Sequence, residues 1–276
     1  MADAIDVTDY ELQSLTQSIL TRYGIDFTCY EPKSLKRRII RVINNFELES
    51  VHNLWVRFLR DPKFVFTFMN EISVGMTSMF RDPILWKNLK TLLKNEFNQK
   101  ANIDIWHAGC STGEEVFTMG IVLKEINLIN KVKAVATDFN QDAIATAQSG
   151  MYHKIKMIEN ENNYKQYNSF SDFSKYYTRE SSDCIMDLSL TNHSKYSYQN
   201  LITDSPPKPG AFDIIFCRNV MIYFDSKAKE DLLEKFYHAL KPEGLFIIGF
   251  FDTMGHLIDS NKFTLVYEQA KIFKRV

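Results

Sequence analysis

Residues 106–115 read WHAGCSTGEE: the end of an apolar run, two glycines with small polar residues between them, then two acids. In a strand–loop–helix setting, Gly109 and Gly113 let the chain turn tightly and approach a ligand closely. Dinucleotide loops read G-x-G-x-x-G and aim a helix N-terminus at pyrophosphate. This loop reads G-x-x-x-G-E-E, and a carboxylate at Glu114 opposes an incoming phosphate. It suits a ligand with a cationic end and no phosphate. S-adenosylmethionine has that character, with a sulfonium, an ammonium and an adenosine ribose. Asp138 ends the next apolar run, KVKAVATD, where a carboxylate can accept hydrogen bonds from both ribose hydroxyls. Taken singly, a GxxxG pair also serves only to turn a loop, and Asp138 also serves as a helix cap. Position, pattern and acidity together favour a methyl donor over a dinucleotide.

The elements that must position these residues are legible by period and punctuation. "ANIDIWHAG", "KVKAVATD", "AFDIIFCRN" and "LFIIGFF" read as buried strands. "GEEVFTMGIVLKEIN", "QDAIATAQSGMY" (stopped at Gly150) and "SKAKEDLLEKFYHALKPEG" (stopped at Pro242 and Gly244) read as helices. "SDCIMDLSLTN" fits a strand or hairpin, and "FTLVYEQAKIFKRV" a closing hairpin. Residues 152–182 are polar and tyrosine-rich and take no assignment. Alternating strands and helices predict an α/β fold, a parallel sheet with helices on both faces. Ligands in such sheets sit beyond the carboxyl ends of the strands. The first 70 or so residues differ. Helices are predicted in "DVTDYELQSLTQSILTRYG", "EPKSLKRRIIRVINNF", "SVHNLWVRFLRD" and "PKFVFTFMNEISV". In the second of these, Lys33, Lys36, Arg37, Arg38 and Arg41 crowd the sides left by Leu35, Ile39, Val42 and Ile43.

Composition removes several classes. A formal net charge of −1 argues against a chain coated for nucleic acid, leaving only a local basic patch. Cys29, Cys110, Cys184 and Cys217 are scattered without CxxC spacing, as free thiols of a reducing compartment are. The histidines show no metal-site spacing, so no metal is expected. The acidic N-terminus has no apolar signal core, and no apolar run reaches the roughly 18 residues of a span. A cytoplasmic location is the expectation.

Five boxes, in order, resemble the chemotaxis receptor methyltransferases of the CheR family: "VGMTSMFRDP", "WHAGCSTGEE", "VATDFNQDAIATAQSGMY", "YSYQNLI" and "FDIIFCRNVMIYFD". The resemblance covers most of the chain from about residue 10. It implies a Rossmann-like S-adenosylmethionine-dependent methyltransferase sheet preceded by a small all-α N-terminal domain. The implied domains are 1–72 (helical), 73–98 (a linker carrying the TxxFR box) and 99–276 (donor-binding methyltransferase domain). It further implies O-methylation of glutamate side chains on the helical bundles of chemoreceptors, with S-adenosylhomocysteine as product. Matching positions imply donor contacts at Thr77, Arg81, Glu114, Asp138, Asn200, Leu201, Arg218 and Asn219. Arg81 would meet the donor carboxylate, Glu114 its ammonium, Asp138 its ribose, and Asn200 and Leu201 its adenine. Arg218 and Tyr223 are implied at the reacting centre. The basic helix Lys33–Arg41 would dock on an acidic receptor bundle, the only link to a membrane, and no nucleic-acid partner is implied.

Three positions depart from the family pattern. Gly75 stands where asparagine precedes the threonine, Met79–Phe80–Arg81 replaces FFR, and Phe250–Met254 lacks the usual histidine–serine–glutamate run. They leave a second expectation open, a donor-binding sensor or scaffold without transfer. A nucleic-acid methyltransferase is disfavoured by charge and by the absence of an NPPY-like motif, and a nicotinamide oxidoreductase by the loop.

Overall fold

The structure, a computed structural model, describes residues 5–72, 77–252 and 254–276. Contacts divide the chain into two units, Met1–Val74 with Met221–Asp231, and Gly75–Val220 with Leu232–Val276.

The first unit is built on α1 (Asp9–Tyr23), α2 (Pro32–Asn45), α3 (Val51–Arg60) and α4 (Phe64–Ile72). Thr8 and Glu11 cap α1 reciprocally, side chain to amide at 3.2 and 2.9 Å, a device worth about 1 kcal/mol. Proline opens α2 and the Glu31 carboxylate caps it. Leu15, Ile19, Leu35, Ile39, Val42 and Ile43 are buried, and the Phe58 ring meets Phe64 and Phe68 edge-on at 5.4 and 5.1 Å. The later segment Met221–Asp231 belongs here by its contacts. Its Tyr223 carbonyl accepts from the Glu31 amide at 2.9 Å, and the Phe224 and Tyr30 rings lie 5.1 Å apart.

The basic stripe of α2 is broken. Arg38 is buried, donates from Nη1 to the Ile72 carbonyl at 2.6 Å, and lies 4.0 Å from the centre of the Tyr223 ring. Residue 38 falls on the same helical stripe as Leu35, Ile39 and Val42, so the fold turns it inward. The expectation that Arg38 faces a partner is therefore corrected. Lys33, Arg37 and Arg41 are exposed, Lys36 pairs with Asp9 at 2.7 Å, and Arg41 donates to the Glu71 carbonyl.

In the second unit α5 (Pro83–Leu92) leads into β1 (Ile103–Ala108), α6 (Glu114–Glu125), β2 (Val132–Asp138) and α7 (Gln141–Ser149). Next come β3 (Met151–His153), α8 (Lys154–Tyr167), β4 (Tyr177–Glu180), β5 (Asp183–Met186), β6 (Ser194–Tyr198) and β7 (Phe212–Cys217). α9 (Ser226–Ala239) crosses into this unit at Leu232, and β8 (Leu240–Ile248), β9 (Phe263–Tyr267) and β10 (Ile272–Arg275) close it. The main sheet runs β6-β2-β1-β7-β8-β10-β9. Its first five strands are parallel, and the expected C-terminal hairpin adds two antiparallel ones.

Both faces of this sheet are covered. On one, Phe216 of β7 stacks on Trp86 of α5 at 5.8 Å; on the other, Trp106 of β1 packs against Phe236 of α9 at 5.3 Å. Alternate residues of a strand point to opposite faces, so a continuous apolar run is what a two-sided strand requires.

Two readings change. α9 ends at Ala239, and Pro242 and Gly244 lie inside β8, where the register shifts between Phe212 and Ile214. The irregularity absorbs the residues that read as a helix stop. Residues 152–182, unassigned by period, contain α8 and β4, and with β3 and β5 at their borders they complete a small antiparallel sheet, β3-β5-β4. The buried stripe of α8 is Met157, Asn160, Tyr164 and Tyr167, whose polar atoms hide its helical period. Among the described residues no helix is long and apolar enough to cross a membrane.

Candidate active site

The glycine loop links β1 to α6. Gly109 and Gly113 have φ of 82° and 91°, a region that side chains rarely adopt. A Cβ on Gly109 would lie 2.4 Å from Val220 Cγ2, and one on Gly113 2.7 Å from Ala147 Cβ. The chain's own side chains already require glycine at these two positions. The Gly109 and Cys110 amides both donate to the Thr137 carbonyl, at 2.8 and 2.9 Å, which holds the loop beside the end of β2.

Asp138 stands at that end. One carboxylate oxygen accepts from the Ser111 amide at 2.8 Å and the other from the Asn140 amide at 2.9 Å. Burial raises its pKa and the backbone amides oppose that rise. The Ser111, Asn140 and Phe139 amides all bear on this carboxylate, and acceptor capacity remains for a hydroxyl. The Asp138 carbonyl accepts from the Gln199 amide at 2.9 Å, which brings the Asn200–Leu201 element alongside. Asn200 Oδ1 accepts from the Ile202 amide at 3.0 Å, and Leu201 is buried.

Glu114 and Glu115 open α6, where the helix dipole favours acids. Glu114 is fully buried. Its oxygens accept from the Thr112 hydroxyl at 2.6 Å and from Lys156 Nζ at 3.3 Å. Burial raises its pKa and Lys156 opposes the rise. Glu114 therefore carries a cation of its own.

Glu115, absent from the expected set, is the centre of a network. Its oxygens meet His107 Nδ1 at 2.8 Å and Arg218 Nη1 at 3.1 Å. Burial works to raise its pKa, and His107 and Arg218 outweigh it, so the carboxyl titrates below its ordinary range. Arg218 follows β7, with its side chain only 4% exposed. Its Nη2 donates to Asp82 Oδ2 at 2.8 Å and to the Arg81 carbonyl at 3.1 Å. The guanidinium expected to meet an incoming carboxylate is thus already neutralised by two of the chain's own. Burying it alone would be costly, and the pairing removes that cost.

The TxxFR segment is fastened to this unit from several sides. The Met79 amide donates to Asn160 Oδ1 at 2.8 Å, the Phe80 amide to Thr118 Oγ1 at 3.0 Å, and Trp86 Nε1 to the Arg81 carbonyl at 2.9 Å. Phe80 and Asp82 have φ of 54° and 57°, rare for residues with side chains and a mark of a constrained turn. Thr77 and Arg81 are partly exposed. Gly75 lies outside the described residues.

Asn219 follows Arg218 at φ 57°, and its amide donates to Asp252 Oδ2 at 2.8 Å. The same oxygen accepts from the Gly249 amide at 2.6 Å, so Asp252 clasps the ends of the neighbouring strands β7 and β8. Asp252 is buried, which raises its pKa, while these two amides and the charges of Arg218 and Arg81 oppose the rise. Three buried polar atoms here have no partner: Arg218 Nε, Asn219 Nδ2 and Asp252 Oδ1. Buried polar atoms in folded proteins are almost always satisfied, so these await a ligand or water.

The expected residues divide accordingly. Arg81, Glu114, Asp138, Arg218 and Asn219 stand at strand ends and turns of one unit, while Tyr223 lies in the helical unit. His107, Glu115, Asp82 and Asp252 were not in the expected set. The doubled acid of "GEE" was the signal for Glu115, and for Asp252 it was its place after a buried strand, where the family's run ends in an acid. Among the described residues, no group of three or more histidine, cysteine, aspartate or glutamate side chains is placed to hold a metal ion.

Comparison with known proteins agrees with this layout. Residues 75–271 match the description "CheR methyltransferase, SAM binding domain", and residues 10–73 match "CheR methyltransferase, all-alpha domain". A Pseudomonas putida protein named Cher3, described as a candidate methyltransferase, is 31% identical over 268 residues, covering 97% of each chain. The chemotaxis protein methyltransferase of Borreliella burgdorferi is 29% identical over 91% of this chain and 90% of its own. That of Salmonella typhimurium is 25% identical over 94% and 88%.

The residues present fit S-adenosylmethionine. Asp138 stands at the end of β2 and Glu114 and Glu115 in the first turn of α6, the loop has no G-x-G-x-x-G phosphate cradle, and unpartnered polar atoms cluster at the ends of β7 and β8.

Proposed function

The chain belongs to the CheR methyltransferase family, and we propose that it methylates glutamate side chains on the cytoplasmic helices of a chemoreceptor. One observation carries the choice of acceptor. Two buried hydrogen-bond donors without partners, Arg218 Nε and Asn219 Nδ2, lie where the family pattern sets the transferred methyl. Two donors beside one unpaired acceptor, Asp252 Oδ1, favour a carboxylate, which accepts from both donors, over a cationic amine or guanidine, which only donates.

S-adenosylmethionine supplies an electrophilic methyl on its sulfonium. The chain's part is to bind, align and dry. A glutamate has a pKa of about 4.3, so it arrives ionised and needs no general base. What limits it is hydration and orientation. Asp138 would receive the ribose hydroxyls, Arg81 the donor's carboxylate, and Asn200 and Leu201 its adenine; Thr77 would support Arg81. Glu114 would face the ammonium with its charge partly offset by Lys156. Arg218, held by Asp82 and Glu115, positions Arg81 and Asn219, and through Nε it offers one donor to the acceptor. Tyr223 has its contacts among the helices, which supports a structural part for it.

Lys33, Arg37 and Arg41 of α2 are the exposed charges available for an acidic receptor bundle, in a cytoplasmic setting. Such charges mainly raise encounter rate and select partners.

A second reading has one observation in its favour: the neutralised Arg218 would equally suit a donor-binding sensor that transfers nothing. Methyl-tritiated S-adenosylmethionine and membranes bearing a chemoreceptor separate the two. Base-labile label on the receptor supports transfer to a carboxylate. Unlabelled receptor, with S-adenosylhomocysteine still bound, supports the sensor.

A further inference from the structure

The turn after β8 has an unusual composition. The Asp252 amide donates to the Gly249 carbonyl at 3.1 Å, which closes a four-residue turn whose two central residues are Phe250 and Phe251. Turn centres ordinarily hold glycine, proline, asparagine, aspartate or serine. Here two aromatic rings stand 55% and 62% exposed, edge to face at 5.4 Å. More than half of each is left in solvent, and exposed neighbouring aromatics mark a contact surface.

The turn is fixed against the reacting end of the site. Asp252 Oδ2 holds both the Gly249 and the Asn219 amides. A Cβ on Gly249 would lie 2.6 Å from the Asn219 side chain, so the two residues are in direct contact. Two of the unpartnered buried atoms, Asn219 Nδ2 and Asp252 Oδ1, belong to this clasp. The phenylalanines therefore flank the groups left open for the acceptor.

We propose that Phe250 and Phe251 select the acceptor, gripping an apolar side chain of the substrate that neighbours the carboxylate to be methylated. The inference rests on the glutamate-acceptor reading and adds a substrate class to it. A carboxylate is a weak nucleophile while hydrated, and an apolar side chain seated on two aromatic rings excludes water beside it. The histidine–serine pair of the family pattern at these positions would offer hydrogen bonds instead. Acceptors for this chain then carry a large aliphatic residue one helical turn from the modified glutamate.

The test uses the full chain and two synthetic helical peptides, identical except for leucine or serine one turn from a single glutamate. Tritiated methanol released by base reads ester formation. The expected preference in kcat/KM for the leucine peptide is about tenfold or more, the size typical of apolar pocket discrimination. Phe250→Ser with Phe251→Ser should reduce it to near unity and leave S-adenosylhomocysteine affinity unchanged. Phe250→Leu with Phe251→Leu should retain it. Equal esterification of both peptides by the unaltered chain, or a preference surviving the serine variant, overturns this inference alone. No ester on either peptide, with S-adenosylhomocysteine bound, overturns the glutamate-acceptor reading and this one with it.

Discussion

Arg218 Nη2 lies 2.8 Å from Asp82 Oδ2, and that ion pair joins the end of β7 to the turn that opens α5. With Nη1 on Glu115, the guanidinium holds three parts of the site in register: a strand end, the first turn of α6, and the Arg81 carbonyl.

Arg218→Ala should therefore cost stability as well as activity. It leaves two carboxylates without their cation, a change of about 3–5 kcal/mol for a buried pair. Thermal melting should drop by several degrees, and S-adenosylhomocysteine affinity should fall together with turnover. Lost turnover with unchanged melting and affinity would mean that Arg218 acts only through its Nε on the acceptor and does not hold the site in register.

Gly109→Ala tests the loop. The positive φ alone costs about 1–2 kcal/mol for an L-residue, and the new Cβ meets Val220 as well. A double-mutant cycle with Val220→Ala should show a favourable coupling of about 1 kcal/mol in denaturant midpoints. Strict additivity would show that the Val220 contact is not what limits this position.

Much of this arrangement was open to reading and part of it was not. β7 is buried along its whole length and β1 and β2 along most of theirs, so predominantly apolar runs announced them, and Asp138 and Arg218 followed from their ends. α8 was hidden because tyrosines and Asn160 do for it what leucines do in α6. Arg38 looked like surface by type and is interior by helical stripe. Pro242 and Gly244 signalled a stop but sit in a strand irregularity. The Arg218–Asp82–Glu115 network joins residues far apart in sequence, and no local pattern encodes such a meeting.

His193 supplies a pH dependence. Burial, then the nearby His107, hold its imidazole down to about 4, from an ordinary 6.5. The folded chain thus binds fewer protons than the unfolded one in this window. The contribution to stability is fully present above about pH 6.5 and is lost as pH falls toward 4. Discounted for partial exposure, it amounts to about 1–3 kcal/mol. Melting temperature should decline from pH 7 to pH 4.5, and His193→Gln should flatten that decline. Parallel curves for the two proteins would remove His193 as the cause.

Lys33→Glu with Arg37→Glu should lower methylation of receptor-bearing membranes several-fold at low salt, less at high salt, with donor affinity unchanged. Arg38→Glu should behave differently and unfold the helical unit, because it buries an acid where a cation met the Ile72 carbonyl and the Tyr223 ring. A folded Arg38→Glu protein with a pure docking defect would contradict the inward placement of that residue.

The most direct test of a crevice made for a sulfonium nucleoside is calorimetric titration with S-adenosylhomocysteine, NADH and Asp138→Ala. One saturable site for S-adenosylhomocysteine is predicted, weakened about ten- to a hundredfold in Asp138→Ala as charge-assisted bonds to the ribose are lost, with no heat from NADH. Tight NADH binding, or an affinity for S-adenosylhomocysteine indifferent to Asp138, would contradict it.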